Sequence, residues 1–145
     1  MFVETYTETI NLGRKFAQGL KPQSIVLLKG PIGSGKTSFV QGIAKELSIS
    51  EDITSPTFAL PNHYNSGKIP LIHMDLYRLD NSSMAKELYL AEEEEANENK
   101  AILVIEWPEL IQPIIDNYWK IEISYAKHYG RNYKIWDPKN SLTFA

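Results

Sequence analysis

The spacing of hydrophobic residues in the first part of the chain predicts a strand, a helix and a second strand. Residues 2–6 alternate between polar and apolar side chains, as in a strand. Apolar side chains then recur at every fourth position: Leu12, Phe16 and Leu20. This spacing predicts a helix that ends before Pro22. The aliphatic run at 24–29 is typical of a strand that is buried on both faces of a sheet.

A second helix is predicted a few residues after this buried strand. Its apolar positions share one face of a helix of about three turns: Phe39, Val40, Ile43, Ala44 and Leu47. Farther along, residues 58–64 and 69–76 flank a turn cluster at 65–67, which predicts an antiparallel hairpin. Pro61 and Pro70 favour edge positions or irregular ends for these two strands.

The next segment is predicted to be a helix with an acidic end. Ser82 or Ser83 can cap this helix, which we expect to extend to about Glu95 before the chain loosens at residues 97–100. We interpret the acidic residues as a solvated face rather than as a binding tail.

The remaining pattern alternates strands with one short helix. Residues 101–105 form a second buried aliphatic run, and residues 108–115 predict a short helix with proline near its first turn. Residues 118–125 and 129–136 predict two strands with a turn at Gly130 between them. The elements together predict a mixed α/β fold with a partly parallel sheet.

The composition narrows the class of protein. The chain has 145 residues, of which 43% are hydrophobic and 23% are charged, and we interpret residues 1–145 as a single domain. The absence of cysteine excludes disulfides, thiolate metal sites and a cysteine nucleophile, and it suits a reducing compartment. No apolar run approaches the ~18 residues of a membrane span, and residues 1–8 lack signal or transit features. We therefore expect a soluble, cytoplasmic protein that does not contact the membrane.

The charge balance bears on possible partners. Lys and Arg number 15 and Asp and Glu number 18, which gives a net charge of −3. No global positive field attracts the chain to nucleic acid. We therefore expect any tRNA to be reached only through a complex with other proteins.

The strongest functional signal is the sequence Gly-Pro-Ile-Gly-Ser-Gly-Lys-Thr at 30–37, which fits the phosphate-binding pattern G-x-x-x-x-G-K-[ST]. It stands between a buried strand and an amphipathic helix, as this motif requires. Gly33 and Gly35 tolerate positive φ and carry no Cβ, so backbone N–H groups can converge on phosphate oxygens at the positive end of the helix. The predicted nucleotide-binding residues are Gly30, Pro31, Ile32, Gly33, Ser34, Gly35, Lys36, Thr37 and Ser38.

Side chains for phosphate, magnesium and catalysis follow from this motif. Lys36 is predicted to bind the β- and γ-phosphates and to stabilise charge in catalysis, and the Thr37 hydroxyl is predicted to be a ligand of Mg²⁺. Such a site needs a second acid, and Glu106 closes the buried run at 101–105. The alternative for Glu106 is a carboxylate that simply faces water at a strand end.

A second polar cluster lies at His73, Asp75 and Tyr77, which alternation places on one side of a strand. Taken alone, this cluster does not indicate a function. The histidine can be a hydrogen-bonded structural residue, and Asp75 can form an ion pair with Arg78.

Four segments in order resemble the bacterial TsaE family of ATPases in tRNA threonylcarbamoyladenosine synthesis: residues 30–44, 54–58, 73–79 and 105–109. The resemblance covers about Thr5 to about Tyr125. It implies a three-layer P-loop NTPase fold around a mixed, partly parallel sheet, with ATP and Mg²⁺ as cofactors. It also implies that the chain works with TsaB and TsaD, and that ATP hydrolysis supports modification at adenosine 37 of tRNAs that read ANN codons.

The resemblance also implies roles for individual residues. Lys36 and Thr37 would bind phosphate and magnesium, Glu106 would help to hold the metal, and Asp75 would lie close to the metal and water. Residues 54–58 are similar to the family's switch-like segment, although a plain Ser-Pro turn explains the same residues. Trp107 belongs to a matched motif and is expected near the nucleotide or a partner, with a core aromatic residue as the alternative.

The chain departs from the family pattern in two places. Residues 87–95 replace the usual Glu-Leu-Gly turn and Glu-Glu-Tyr helix, so no role is transferred there. Beyond Tyr125 the likeness fades, and no site is assigned to residues 127–145, although Gly130 and Arg131 can belong to a last hairpin of the family type.

Other functions with the same motif remain open. A small P-loop kinase usually brings arginines over the transferred phosphate from a lid, and the chain offers only Arg14, Arg78 and Arg131. A GTPase would need Asn-Lys-x-Asp, whereas residues 99–102 read Asn-Lys-Ala-Ile, which favours adenine. A nucleotide-gated interaction module with incidental hydrolysis cannot be separated from an ATPase by sequence. We identify no arginine finger and therefore expect weak hydrolysis by the chain alone and coupling to partners.

Overall fold

The computed structural model describes residues 1–56 and 60–144. The described residues contain three α-helices: α1 (Tyr6–Ala17), α2 (Lys36–Glu46) and α3 (Ser82–Asn99). They also contain eight strands: β1 (Phe2–Val3), β2 (Ile25–Lys29), β3 (Asn62–Tyr64), β4 (Leu71–Asp75), β5 (Ile102–Glu106), β6 (Trp119–Tyr125), β7 (Arg131–Trp136) and β8 (Leu142–Phe144). Two short 3₁₀ turns follow β5, at Pro108–Leu110 and Gln112–Ile114.

The strands form one mixed sheet in the order β1-β7-β6-β2-β5-β4-β3, with β8 paired to β7. The four central strands β6, β2, β5 and β4 are parallel to one another, whereas the pairs β6–β7, β1–β7, β7–β8 and β3–β4 are antiparallel. The predicted mixed, partly parallel sheet is therefore confirmed. The β3–β4 pair is the expected hairpin, and β3 occupies the sheet edge that Pro61 favours.

Helices cover both faces of the sheet, which gives three layers. Strand alternation sends Val26 and Leu28 to the face that also holds Phe16 of α1 and Phe39 of α2. The neighbouring Leu27 points to the opposite face, which α3 covers with residues such as Ala85 and Tyr89. All of these side chains are buried, and their burial explains why β2 and β5 are nearly continuous aliphatic runs.

Helices α1 and α2 approach each other closely enough for their backbones to touch. A Cβ built on Gly13 would lie 2.4 Å from the Phe39 carbonyl oxygen. A Cβ built on Gly42 would lie 2.3 Å from the Ile10 carbonyl oxygen. Only glycine fits at these two positions, and the contact fixes α2 and the loop before it against α1.

The N-caps of α1 and α3 explain where these helices begin. They differ from the sequence-based expectations for the end of the first strand and for the cap of α3. Thr5 accepts a hydrogen bond from the Glu8 N–H and forms a capping box with it, so the strand expected at residues 2–6 ends at Val3. For α3, the expected cap at Ser82 or Ser83 is wrong, because the cap is Asn81. The Asn81 Oδ1 accepts from the N–H groups of Ser83 and Met84.

Other element boundaries also differ from the sequence-based expectations. Helix α1 ends at Ala17, and the buried Leu20 follows it in a turn. Helix α3 continues to Asn99, beyond the expected end near Glu95. The helix expected at 108–115 is replaced by the two 3₁₀ turns.

Strand β8 has no counterpart among the predicted elements. Part of the segment predicted as a strand at 58–64 lies outside the described residues. Among the residues that are described, none of the helices is long and apolar enough to cross a lipid bilayer.

Candidate nucleotide site

The glycine-rich loop lies where the sequence places it, between β2 and the first turn of α2. Gly33 and Gly35 have φ angles of 74° and 99°, in the left-handed region that favours glycine. Gly35 occupies the N-cap position of α2. Because glycine has no side chain, the first amide groups of the helix face an open approach at the positive end of its dipole. This end of the helix suits an anion.

Side-chain donors hold the carbonyl groups of the loop. The Lys36 ammonium donates to the carbonyl oxygens of Gly30 and Pro31 at 2.7 and 2.9 Å. The Tyr125 hydroxyl donates to the Ile32 carbonyl oxygen, and Arg131 Nη2 donates to the Gly33 carbonyl oxygen at 3.2 Å. Four consecutive carbonyls of the loop are thus engaged. Arg131 lies within residues 127–145, where the sequence predicts no site.

The Lys36 ammonium lies in a partly desolvated position beside an aromatic ring and near three carboxylates, those of Glu106, Asp75 and Glu109. Its Nζ lies 4.6 Å from the centre of the Trp107 ring. Burial lowers the pKa of Lys36, and the neighbouring carboxylates, with Glu106 first, oppose this shift. Trp107 itself has a φ of 54°, a rare value for a residue other than glycine, directly after β5.

The two predicted acids come together because β4 and β5 end at the same level. Asp75 and Glu106 are direct partners in the parallel register and point to the same side. Glu106 is 2% exposed, and its Oε2 lies 2.5 Å from Nε2 of His73, which is fully buried. The buried pair shows that Glu106 is not simply a carboxylate that faces water.

Asp75 is less enclosed than Glu106. Its Oδ1 accepts a hydrogen bond of 2.9 Å from the N–H of Tyr77. Burial raises the pKa of Asp75, this hydrogen bond lowers it, and the charge of Glu106 raises it further. The two carboxylates therefore sit in different environments at one edge of the sheet.

The segment that resembles a switch reaches the loop through Ser55. The hydroxyls of Ser55 and Thr37 lie 2.8 Å apart, within hydrogen-bond distance. Sequence reasoning gave Ser55 no separate role, since the contact joins residues 18 positions apart. Thr57 and Phe58 of the same segment lie outside the described residues.

These elements enclose a cleft of about 590 Å³. Its lining consists of Ile32, Gly33, Gly35, Lys36, Thr37, Ser38, Ser55, Asp75, Tyr77, Arg78, Glu106 and Trp107. Most of the predicted site residues thus share one cavity, and Arg78 and Tyr77 join them. The Tyr77 and Trp107 rings lie 4.8 Å apart at its wall.

The predicted residues that do not line this cleft are Gly30, Pro31 and Ser34. Ser34 is 1% exposed, and its Oγ has no hydrogen-bond partner among the described residues. It lines a second, smaller hollow of about 220 Å³, which shares Gly33, Gly35 and Ser38 with the cleft and is also lined by Arg131 and the start of α1.

The donor set fits a magnesium ion that is shared with phosphate. Thr37, Asp75 and Glu106 offer the hydroxyl and carboxylate oxygens that Mg²⁺ prefers. Within residues 1–56 and 60–144, no three His, Asp or Glu side chains are grouped so that they could hold a metal by themselves. Magnesium sites of nucleotide-binding proteins commonly use one or two protein carboxylates and complete the shell with phosphate and water.

A comparison with family models gives a match over residues 3–133 to "Threonylcarbamoyl adenosine biosynthesis protein TsaE". The chain belongs to the TsaE family. The resemblance found in the sequence is therefore confirmed, and the matched region extends past Tyr125 to include Arg131. The matched region thus includes β6, the turn after it and the first three residues of β7.

Curated TsaE proteins from several bacteria are similar to the chain. The protein named tRNA threonylcarbamoyladenosine biosynthesis protein TsaE from a Nostoc species is 38% identical over 138 residues, which cover 93% of this chain and 83% of the relative. The protein of that name from Aquifex aeolicus is 35% identical over 125 residues, 85% of this chain and 86% of the relative.

A solved structure supports the same assignment. The crystal structure of Bacillus subtilis YdiB matches with a TM-score of 0.71 at 28% identity, and the match covers 92% of this chain and 80% of that one. Together with the sheet order and the loop, this match confirms the predicted three-layer P-loop NTPase fold.

Proposed function

We propose that residues 1–145 form one ATPase domain that binds ATP with Mg²⁺ and hydrolyses it in support of tRNA N6-threonylcarbamoyladenosine synthesis at adenosine 37. The TsaE family membership supports the pathway. TsaB and TsaD are the proposed partners, and tRNA is reached through their complex. The proposed site of action is the cytoplasm.

The proposal rests on one observation: the phosphate-binding loop and two carboxylates line the same cleft. The glycine-capped start of α2, the Lys36 ammonium and the Thr37 hydroxyl share one cleft with Asp75 and Glu106. An anion cradle beside carboxylates is the arrangement that a magnesium-bound triphosphate requires.

The loop residues supply binding and charge stabilisation. Lys36 is held over the loop by the Gly30 and Pro31 carbonyls, within reach of an anion that enters the cradle. When Lys36 turns to phosphate, it loses these two neutral acceptors and gains a stronger hydrogen bond in which the donor and the acceptor are both charged. The loop amides and the lysine then stabilise negative charge as it develops on the transferred group.

The two acids are proposed to hold the metal and to orient the attacking water. Bound Mg²⁺ would neutralise phosphate charge, with Thr37 and Glu106 as its protein ligands. His73 fixes one Glu106 oxygen, so the carboxylate enters the cleft in a defined orientation. Asp75, which is more open, would also lie close to the metal, and either Asp75 or Glu106 would orient water for attack.

Partner proteins are proposed to complete or couple this chemistry. Arg78 lines the cleft beside Asp75, but sequence reasoning identified no arginine finger for this chain. Weak hydrolysis by the chain alone therefore remains our prediction. We also predict that TsaB and TsaD increase the rate of ATP hydrolysis when they bind the chain.

The test combines binding and turnover. Calorimetry with Mg-ADP and Mg-ATP, and phosphate release with and without TsaB and TsaD, would be measured on the full chain. We expect binding in both conditions and faster hydrolysis with the partners. The absence of any binding, with partners present or absent, would refute the proposal. Nucleotide-dependent partner binding without hydrolysis would instead favour the interaction-module alternative.

A further inference from the structure

Two side chains beside the turn of the β6–β7 hairpin form hydrogen bonds with the phosphate-binding loop from outside the cleft. Tyr125, at the end of β6, donates its hydroxyl to the Ile32 carbonyl, and Arg131, at the start of β7, donates to the Gly33 carbonyl at 3.2 Å. The Arg131 guanidinium lies 4.5 Å from the centre of the Tyr125 ring and also donates to the Gly130 carbonyl at 3.0 Å. Each side chain therefore supports the other.

The direction of these carbonyls affects the amide groups of the loop. In a trans peptide the C=O and the following N–H point in opposite directions. The Gly33 N–H therefore points away from Tyr125, which holds the preceding carbonyl. The Ser34 N–H, opposite the carbonyl held by Arg131, donates to the Pro31 carbonyl at 3.1 Å and closes a turn within the loop.

We propose that Tyr125 and Arg131 are positioning residues that hold the nucleotide-free loop in its binding conformation. This inference rests on the proposed function, because it concerns the same nucleotide site. Neither side chain lines the cleft that Lys36 and Glu106 share. Their contacts are with loop carbonyls, so they act on an anion through the backbone that binds it.

The expected effect follows from the fraction of chains whose loop is ready to bind. Apparent affinity falls in proportion to that fraction. Loss of one hydrogen bond to a loop carbonyl lowers affinity by about two- to tenfold, the range expected for the net contribution of one solvent-exposed hydrogen bond. Because the two side chains contact each other, loss of both costs less than the product of the single losses.

The experiment compares Tyr125→Phe, Arg131→Met and the double variant with the natural chain. Phenylalanine keeps the ring, and methionine keeps much of the length of arginine without its donors. Tyr129→Phe is the matched control, since Tyr129 lies in the same hairpin and is 65% exposed. Calorimetry with Mg-ADP measures affinity, and hydrogen–deuterium exchange without nucleotide measures protection of the amides at 32–35.

We expect weaker Mg-ADP binding and faster exchange of the loop amides in the variants, with no change in Tyr129→Phe. At saturating ATP, kcat should stay within about twofold of the natural value, because bound nucleotide itself holds the loop in its binding conformation. Arg131→Lys, which keeps a donor, should recover part of the affinity.

Two results would overturn the positioning role. One is natural affinity together with natural exchange of the loop amides in the double variant. The other is loss of protection throughout β6 and β7, which would mean that the pair only stabilises the hairpin. If the natural chain binds no Mg-ADP, the proposed function fails, while amide exchange in the nucleotide-free chain still decides whether the pair holds the loop.

Discussion

The imidazole of His73 and the carboxylate of Glu106 form a buried pair, with Nε2 and Oε2 at 2.5 Å. The side chains are 0% and 3% exposed, so solvent does not replace the contact if one partner is lost. Nδ1 of His73 is buried and has no hydrogen-bond partner among the described residues. The arrangement in which Nε2–H donates to the carboxylate leaves Nδ1 as an acceptor and avoids a buried, unpaired N–H group.

Replacement of His73 by leucine should destabilise the fold, because it leaves the Glu106 carboxylate buried without its donor. The expected loss in the free energy of unfolding is about 3–5 kcal/mol. The double variant His73→Leu, Glu106→Leu should be more stable than His73→Leu alone, since it buries no unpaired charge. Urea unfolding of the natural chain, His73→Leu, Glu106→Leu and the double variant measures this coupling, and a His73→Leu chain of natural stability would contradict it.

The contact between α1 and α2 gives a prediction about stability alone. Gly42→Ala would place a Cβ 2.3 Å from the Ile10 carbonyl oxygen and 2.9 Å from the Gly13 Cα. Both neighbours are backbone atoms, so the helices must separate, at an expected cost of about 1–3 kcal/mol or more.

Gly19→Ala is the matched control for that substitution. At Gly19 the nearest atom to an added Cβ is the Phe16 carbonyl oxygen at 3.7 Å. Alanine therefore fits, and it should leave stability unchanged or raise it by up to about 1 kcal/mol through the unfolded state. The midpoints of thermal unfolding of Gly42→Ala and Gly19→Ala, each measured against the natural chain, compare the two substitutions. Equal midpoints for both would show that the helices adjust without cost.

Strands β2 and β5 at the centre of the sheet could be predicted from the sequence because they are nearly continuous aliphatic runs, which have few other stable locations. Strand β8 could not, since its three residues carry too short a pattern and its pairing depends on the exposed edge of β7. The short helix expected at 108–115 failed at Pro113, which removes a backbone donor from its middle. Only 3₁₀ turns form there.

In the candidate site too, some features could be predicted from the sequence and others could not. Local sequence identifies the loop, because spacing within eight residues defines it. Arg131 contacts Gly33 across 98 positions of sequence, and His73 meets Glu106 across 33, through the register of β4 and β5. Such contacts come from strand pairing and leave no periodic pattern in the sequence.

Lys36→Ala should abolish nucleotide binding or hydrolysis while the chain remains folded. The ammonium is the loop's own cation, and its partly buried position disfavours the charge in the free protein, as its lowered pKa indicates. Lys45→Ala is the control, because Lys45 lies on the exposed side of the same helix. Mg-ADP calorimetry and circular dichroism measure the two properties. Full activity of Lys36→Ala would refute the assignment of the loop.

Replacement of the two acids should separate catalysis from binding. In Asp75→Asn and Glu106→Gln the side chains keep their size but lose the negative charge that orients water and holds magnesium. We expect kcat for ATP hydrolysis to fall by about 100-fold, within the range for loss of one catalytic group, while affinity for ATP changes less. The loop, Lys36 and Thr37 still bind phosphate in both variants. Phosphate release and ATP calorimetry, each with the partner proteins present, give the two constants. A loss of folding without a specific loss of kcat would assign the acids a purely structural role.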